Sequence, residues 1–285
     1  MKKIVVFTTL VLLTTGIIAQ EKANELRNFR FGLNIAPSVN WLKPEGKVIS
    51  PDGSNIKFGG GITMEFRLAR VASIKTGLQV ATSGGQLKYN NGGENTPSSS
   101  TVSYYYNTDN DDIVEYKKDH TPSSSETHYQ LNERQYKATY LVIPVLLKLK
   151  TKEIGMMTYY GEFGLNSSFR WKGKVNDKVA ILDAPNYGAI ESKKDISYTR
   201  DYSIYTAALN FGLGTEVNLS GTTSLTLGVN YNLGFTNAFY QKSRYLEKRT
   251  NSVNYNPLDP NTYSIQQLEQ KVKQNAVVVT IGVLF

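Results

Sequence analysis

The sequence predicts an all-β chain: an eight-stranded antiparallel transmembrane β-barrel with long extracellular loops and short periplasmic turns. Three observations predict it. Apolar residues alternate with period two in eight separate segments. The connections between those segments run long, short, long, short, long, short, long, which is how a membrane barrel segregates its loops. Gly (23) and Tyr (19) are plentiful among the 285 residues while helix signals are scarce. No later window approaches the length of a spanning helix, whereas a spanning strand needs only about 9 to 11 residues.

Ahead of the first strand, Lys2 and Lys3 precede an apolar run from Ile4 to Ala19, with a small residue before Gln20. This pattern predicts a signal peptide over residues 1–19 and a barrel domain over residues 20–285. The absence of cysteine excludes disulfides, Cys-bound metal and a lipid on an N-terminal Cys. Removing Lys2 and Lys3 from the 32 basic residues leaves 30 against 24 acidic ones, a net of +6 spread along the chain. Spread in that way, the charge makes no nucleic-acid footprint.

The first strand runs over Arg30 to Leu42, beginning with Phe31, Leu33 and Ile35 on one face. Lys43 to Asn55, with Pro44, Gly46, Pro51 and Asp52-Gly53, is a loop by its turn residues. The second strand, Ile56 to Leu68, places Ile62, Met64, Phe66 and Leu68 outward and Thr63, Glu65 and Arg67 inward. A tight turn over Ala69 to Val71 leads to the third, Ala72 to Tyr89. If that turn has three residues, positions summing to 140 are paired, and Glu65 faces Lys75.

Asn90 to Gln135 is a long extracellular loop in which Thr-Pro-Ser-Ser-Ser occurs twice, at Thr96 to Ser100 and Thr121 to Ser125, flanking a hairpin that projects into water. Strand four, Tyr136 to Lys150, reaches strand five, Met156 to Lys172, across five residues. After the loop Gly173 to Asp201 come strand six, Tyr202 to Val217, and strand seven, Ser224 to Ala238. The last loop, Phe239 to Gln274, carries Ile265, Leu268 and Val272 at the spacing of a short amphipathic helix. The closing strand, Asn275 to Phe285, sets Val277, Val279, Ile281, Val283 and Phe285 on one apolar face.

This ending resembles the closing strand of a bacterial outer-membrane barrel, which implies that the assembly machinery reads the strand ending at Phe285. Strand four reads Tyr-Leu-Val-Ile-Pro-Val-Leu-Leu-Lys-Leu-Lys over Tyr140 to Lys150, and resembles the Y-L-x-I-P-L-L-x-K signature of the PorT family of porin-like outer-membrane barrels. Pro144 makes the match distinctive, because proline removes a ladder donor from a central strand. Strand five, with Gly161 and Gly164, also resembles the strand that follows in that family. Val142 stands where members often carry an acidic residue. The resemblance implies an outer-membrane location and, through the founding member, a link to type IX protein secretion.

Taking the apolar set of each strand as the outside, Leu209, Phe211, Leu213, Leu227, Val229, Leu233 and Phe235 face lipid, with Tyr159, Phe169, Trp171 and Tyr231 in aromatic girdles. The inside then collects Glu65, Arg67, Lys75, Lys148, Glu162, Arg170 and Glu216, the expected ion-pair network of the lumen. Eight strands leave an interior just wide enough for side chains to fill, so the lumen is expected to be plugged.

Little in the sequence promises catalysis. Both histidines, His120 and His128, lie in the long polar loop outside any metal-spaced or nucleophile-bearing motif. Asp109, Asp111 and Asp112 lack the Gly and distal Glu of a calcium loop, and no phosphate-cradling glycine motif occurs. No catalytic, cofactor-binding or metal-ligating residue, and no cofactor, is therefore expected. Loop 90–135 is acidic, with eight acidic against three basic residues, and loop 239–274 basic, with six against three, so the two attract each other. Tyr104, Tyr105, Tyr106, Tyr116 and Tyr255 stand as the expected surface for a partner. The expected partners are membrane lipid and lipopolysaccharide, the assembly machinery, and secretion-system or other envelope proteins. The expected function is non-catalytic binding or assembly in the envelope, with a narrow porin-like channel and a surface lipid hydrolase as alternatives.

Overall fold

The computed structural model describes residues 28–92, 100–118, 120–183, 185–220, 223–252, 254 and 262–285. The expected signal peptide and Tyr255 lie outside them. The strands of the first half are β1 (Phe29–Ile35), β2 (Ser38–Pro44), β3 (Ile49–Pro51), β4 (Ser54–Lys57), β5 (Gly59–Ala69), β6 (Ala72–Tyr89), β7 (Ser100–Asn107) and β8 (Asp112–Ile113). Those of the second are β9 (Glu126–Lys150), β10 (Met157–Ile181), β11 (Ile190–Ser197), β12 (Tyr205–Ser220), β13 (Thr223–Gly234), β14 (Lys242–Asn251), β15 (Tyr263–Glu269) and β16 (Val272–Leu284).

Eight of these close a ring by antiparallel pairing in the order β1, β5, β6, β9, β10, β12, β13, β16 and back to β1. Apolar residues cover its outer wall, among them Phe31, Ile62, Phe163, Leu213, Val229 and Ile281. The two ends of the ring meet through side chains as well as backbone, with the Phe31 and Phe285 rings 5.5 Å apart. Pro144 faces into the lumen in register with Asn166 of β10, while on its other side the β6–β9 ladder skips two positions between Thr76↔Val145 and Gln79↔Val142. The donor that proline lacks is absorbed by that gap.

The ring is uneven because its strands differ in length. At about 3.3 Å per residue, the 25 residues of β9 and of β10 span roughly 80 Å, against an apolar band of about 25 Å. Their upper halves rise into a cap with β2, β3, β4, β7, β8, β11, β14 and β15.

Here the structure corrects the sequence reading. The long connections contain strands: β3 and the start of β4 lie in the expected loop 43–55, β7, β8 and the start of β9 in 90–135, the end of β10 and β11 in 173–201, and β14 and β15 in 239–274. The first strand is interrupted at Ala36–Pro37, and Pro37 accepts a bond from Val279 N at 2.9 Å. No helix forms at Ile265, Leu268 and Val272. Ile265 and Leu268 belong to β15 and Val272 to β16, because pairing with β14 supplies a ladder that three apolar residues without caps cannot match. The acidic and basic loops are joined by backbone, β7 to β14 from Ser103↔Glu247 to Ser100↔Thr250. The expected hairpin forms, β7 with β8 from Tyr106↔Ile113 to Asn107↔Asp112 with its acidic turn exposed, but its body is part of the cap wall.

Candidate functional site: a lumen shut at both ends

The short-turn end of the lumen is filled by charge. The register pairs Glu65 with Lys75, yet their side chains choose partners across the lumen. Lys75 Nζ donates to both Glu162 oxygens at 3.0 Å. Lys148 Nζ reaches Glu65 at 3.3 Å and also Glu216. Lys150 Nζ pairs with Glu65 and, at 2.9 Å, with Glu216. Arg30 closes the group from β1, donating to Glu216 at 2.8 Å and to Ser224 Oγ at 2.9 Å. Tyr160 lies under Lys148 with its ring centroid 4.0 Å from Nζ. A Cβ at Gly214 would stand 2.4 Å from the Tyr160 hydroxyl, so this position must be glycine for the ring to fit. Four cations and three carboxylates thus hold one another inside a lipid-embedded ring, as buried charges must.

Of two further residues expected in this network, Arg67 stands beside Glu65, Arg30 and Glu216, and Arg170 is elsewhere. Arg67 makes no ion pair among the described residues, and its Nη1 is buried without a hydrogen-bond partner. Arg170 sits where β10 leaves the ring and donates to the backbone carbonyls of Thr199 and Tyr202, the latter at 2.9 Å. Arg30 and Lys150, which join the network, were not expected there. Lys150 shares its strand parity with Lys148, and that signal was available.

The other end is shut by a core. Leu42, Leu87, Tyr104, Leu131, Tyr136, Val179, Tyr198, Tyr202, Phe239 and Leu246 are all buried in one cluster. At its centre Arg134 of β9 is 0% exposed and grips Asp177 of β10 through Nε and Nη2, both at 2.6 Å. Its guanidinium carbon is 4.4 Å from the Tyr198 ring centroid, and Tyr104 donates to Asp177 at 2.8 Å. Burial, then the Asp177 charge, pushes the Tyr104 phenol far above its ordinary pKa, so it stays a neutral donor. Burial likewise pushes Tyr136 up to about 12. Asp201 is a second hub, accepting from Ser243 Oγ (2.7 Å), Arg244 N (2.7 Å), Gln270 Nε2 (2.6 Å) and Tyr198.

The four described residues of the expected tyrosine surface are packed into the cap, two buried and two half-buried. Tyr104 and Tyr106 are buried, because outside the membrane the apolar side of a strand turns inward. Tyr105 is sandwiched by both histidines, 4.3 Å from the His128 ring and 4.9 Å from that of His120. His128 Nε2 lies 3.0 Å from Glu247 and His120 Nε2 2.6 Å from Glu126. Tyr116 is half-buried, with its backbone N donating to Arg244 O at 2.8 Å. Asp109, Asp111 and Asp112 form an exposed turn, and no three carboxylates or histidines gather as a metal site among the described residues.

Residues 18–240 match the family model described as "Outer membrane protein beta-barrel domain". The chain belongs to this family. It is a protein of the bacterial outer membrane, and the apolar outer wall of its ring faces lipid. No curated protein matches the sequence. Among solved structures, Neisserial surface protein A (NspA) is similar over 90% of this chain and 96% of its own at 9% identity, with a TM-score of 0.37. OprG from Pseudomonas aeruginosa is similar over 89% and 96% at 11% identity, with a TM-score of 0.34. Ail of Yersinia pestis is similar over 91% and 100% at 10% identity, with a TM-score of 0.30. Membership of the outer-membrane barrel family rests on the family model.

Proposed function

We propose that this outer-membrane barrel is non-catalytic and non-conducting, and works as a platform: its ring anchors a rigid cap that binds other envelope components. The observation that carries this reading is the double closure of the lumen, by ion pairs at the short-turn end and by the Arg134 core at the other. With transport blocked twice, the cap and the outer wall are the surfaces left to act. In this reading the cap faces the cell exterior and the short turns face the periplasm, where both termini of such barrels lie. Lipid and lipopolysaccharide surround the wall, and the strand ending at Phe285 is the assembly machinery's handle.

The Tyr140–Lys150 segment supports a finer version, in which the partners belong to type IX secretion. The test is photo-crosslinking in native membranes from exposed cap positions, with Tyr187 and Ile190 as sites. Specific adducts with envelope proteins are expected, and a cap that yields none would overturn the platform reading. A second reading, a narrow channel, is favoured by the space left between the two closures. Planar-bilayer recordings are expected to stay at baseline, and ohmic conductance in the intact protein would decide for the channel.

A further inference from the structure

The outer wall carries a cluster of lysines at the level of the Trp171 bulge. Tyr136 and Ala138 of β9 are buried in the core, so Lys137 between them points outward. Across the β9–β10 ladder Lys137 is in register with Lys174, and Lys172 stands two residues lower, opposite Thr139. Lys57, the last residue of β4, completes the group: burial, and then the Lys137 charge, push its ammonium below the ordinary lysine value. The carboxylate beside them is Asp195 of β11, which Lys174 holds at 3.0 Å. That hydrogen bond keeps Asp195 below its usual range, and the charges of Lys137 and Lys172 act on it in the same direction. Higher on the wall, Glu133 is taken by Lys178 at 2.7 Å and Asp52 by Gln86 Nε2 at 2.9 Å.

Immediately below, the wall is apolar. Trp171, next to Lys172, is 70% exposed, and Phe58, next to Lys57, is 68% exposed. Phe169 and Tyr205 continue this surface downward, with their ring centroids 5.4 Å apart. Large apolar side chains on the wall of a membrane ring belong in lipid, and tryptophan and tyrosine mark its interface. The lysines therefore stand at the height of the lipid headgroups. Among the described residues Lys57, Lys137 and Lys172 form no ion pair, so three positive charges gather where the chain supplies no counter-charge of its own.

We infer that Lys57, Lys137 and Lys172 bind the phosphomonoester headgroup of a lipid in the surrounding leaflet. A phosphomonoester carries about −1.5 to −2 charges near neutral pH and three acceptor oxygens, which suits three ammonium groups at once. Lysine binds phosphate as a point charge, so the cluster needs no fixed fork geometry. A phosphodiester or a carboxylate brings a single charge and leaves two lysines uncompensated. The acyl chains of the same lipid lie on Trp171, Phe58 and Phe169, a hold that a soluble phosphate lacks. This deepens the platform reading by naming a lipid partner of the wall, and it rests on that reading for the wall's place in the bilayer.

The test uses the full chain folded in phosphatidylcholine nanodiscs. The chain has two tryptophans, and Trp41→Phe leaves Trp171 as the reporter. Its fluorescence is quenched by brominated acyl chains, offered in turn on phosphatidylcholine, phosphatidylglycerol and phosphatidic acid. Phosphatidic acid is expected to be enriched at Trp171 about tenfold over phosphatidylcholine, and phosphatidylglycerol clearly less. Lys137→Gln is expected to cut that enrichment about fivefold, with Lys57→Gln and Lys172→Gln close behind. Lys178→Gln, higher on the same wall, is expected to leave it unchanged. Equal quenching by the three lipids, phosphatidylglycerol matching phosphatidic acid, an equal loss in Lys178→Gln, or displacement by millimolar glycerol 3-phosphate would each overturn the inference. No quenching by any brominated lipid would overturn it together with the reading on which it rests.

Discussion

Strand β10 is two strands in one. From Met157 to Arg170 its apolar side chains, Phe163, Leu165 and Phe169, are exposed on the outer wall while Glu162 is buried in the lumen. From Lys172 to Ile181 the order is reversed: Val175, Asp177, Val179 and Ile181 are buried and Lys172, Lys174 and Lys178 face outward or part-outward. The change happens at Trp171, an extra residue between Arg170↔Tyr140 and Lys172↔Thr139. β9 passes the same level without a flip, since Tyr136, Ala138 and Tyr140 are all buried, and has its own extra residue higher in the cap, at Asn132 between Lys178↔Glu133 and Val179↔Leu131. A bulge shifts a strand by one residue and so flips every side chain beyond it. The comparison teaches that solvent, not sequence pattern alone, decides which face is inside: below Trp171 the surroundings are lipid, above it water.

The most damaging way to break this comparison is to delete Trp171. Val175, Val179 and Ile181 would swing outward and Lys174 and Lys178 inward, losing about 5 kcal/mol of apolar burial. The cap is expected to become protease-sensitive while the ring still inserts; a protease-resistant cap would show that the bulge is not the pivot. Next in size is Asp177→Ala, which strands Arg134 in a dry core at a cost of about 3–5 kcal/mol. Hydrogen exchange should rise in the upper halves of β9 and β10 and not in the lower ones. A uniform rise would mean that the two regions are one cooperative unit.

The ring has its own test. Leu213→Arg, on the lipid face, is expected to cost about 2–4 kcal/mol in a refolding titration. Lys178→Gln, exposed on the cap, should stay within about 0.5 kcal/mol. Equal costs would erase the distinction between lipid and water. The smallest effect is one of acidity. Hydrogen bonds from His128 and Ser103 hold the Glu247 carboxyl below its usual range against the opposing effect of burial. A carboxylate with a lowered folded pKa stabilises fully above its unfolded value of about 4.3, and the contribution is lost as pH falls through the folded one. Exchange at the β7–β14 amides should therefore be flat from pH 7 to 5 and rise below about 4, and a rise already at pH 6 would count against Glu247 as the titrating group.

The ring was legible in the sequence because lipid enforces strict alternation: Ile62 to Leu68 and Leu225 to Leu233 announce their faces residue by residue. The cap was not, for two physical reasons. The bulges at Asn132 and Trp171 shift the phase, so Val175 and Val179 continue the apolar parity of Phe169 while pointing the other way. Turn-rich segments such as Thr121 to Ser125 also conceal the strands they precede. Of the lumen charges, the register of Glu65 and Lys75 could be counted from the turn, but their true partners lie on other walls and depend on the stagger of the whole ring. The lysine cluster above Trp171 was invisible, since only the folded wall brings Lys57 beside Lys137.

The contact between Phe31 and Phe285 has a further consequence for biogenesis. The seam pairs Leu33 with Val283, nearly the full length of the chain apart. Ring closure therefore waits for β16 to find β1, and pairings so distant form slowly. Until the seam forms, β1 and β16 are each left with an unpaired edge, the feature of a sheet most open to wrong pairing.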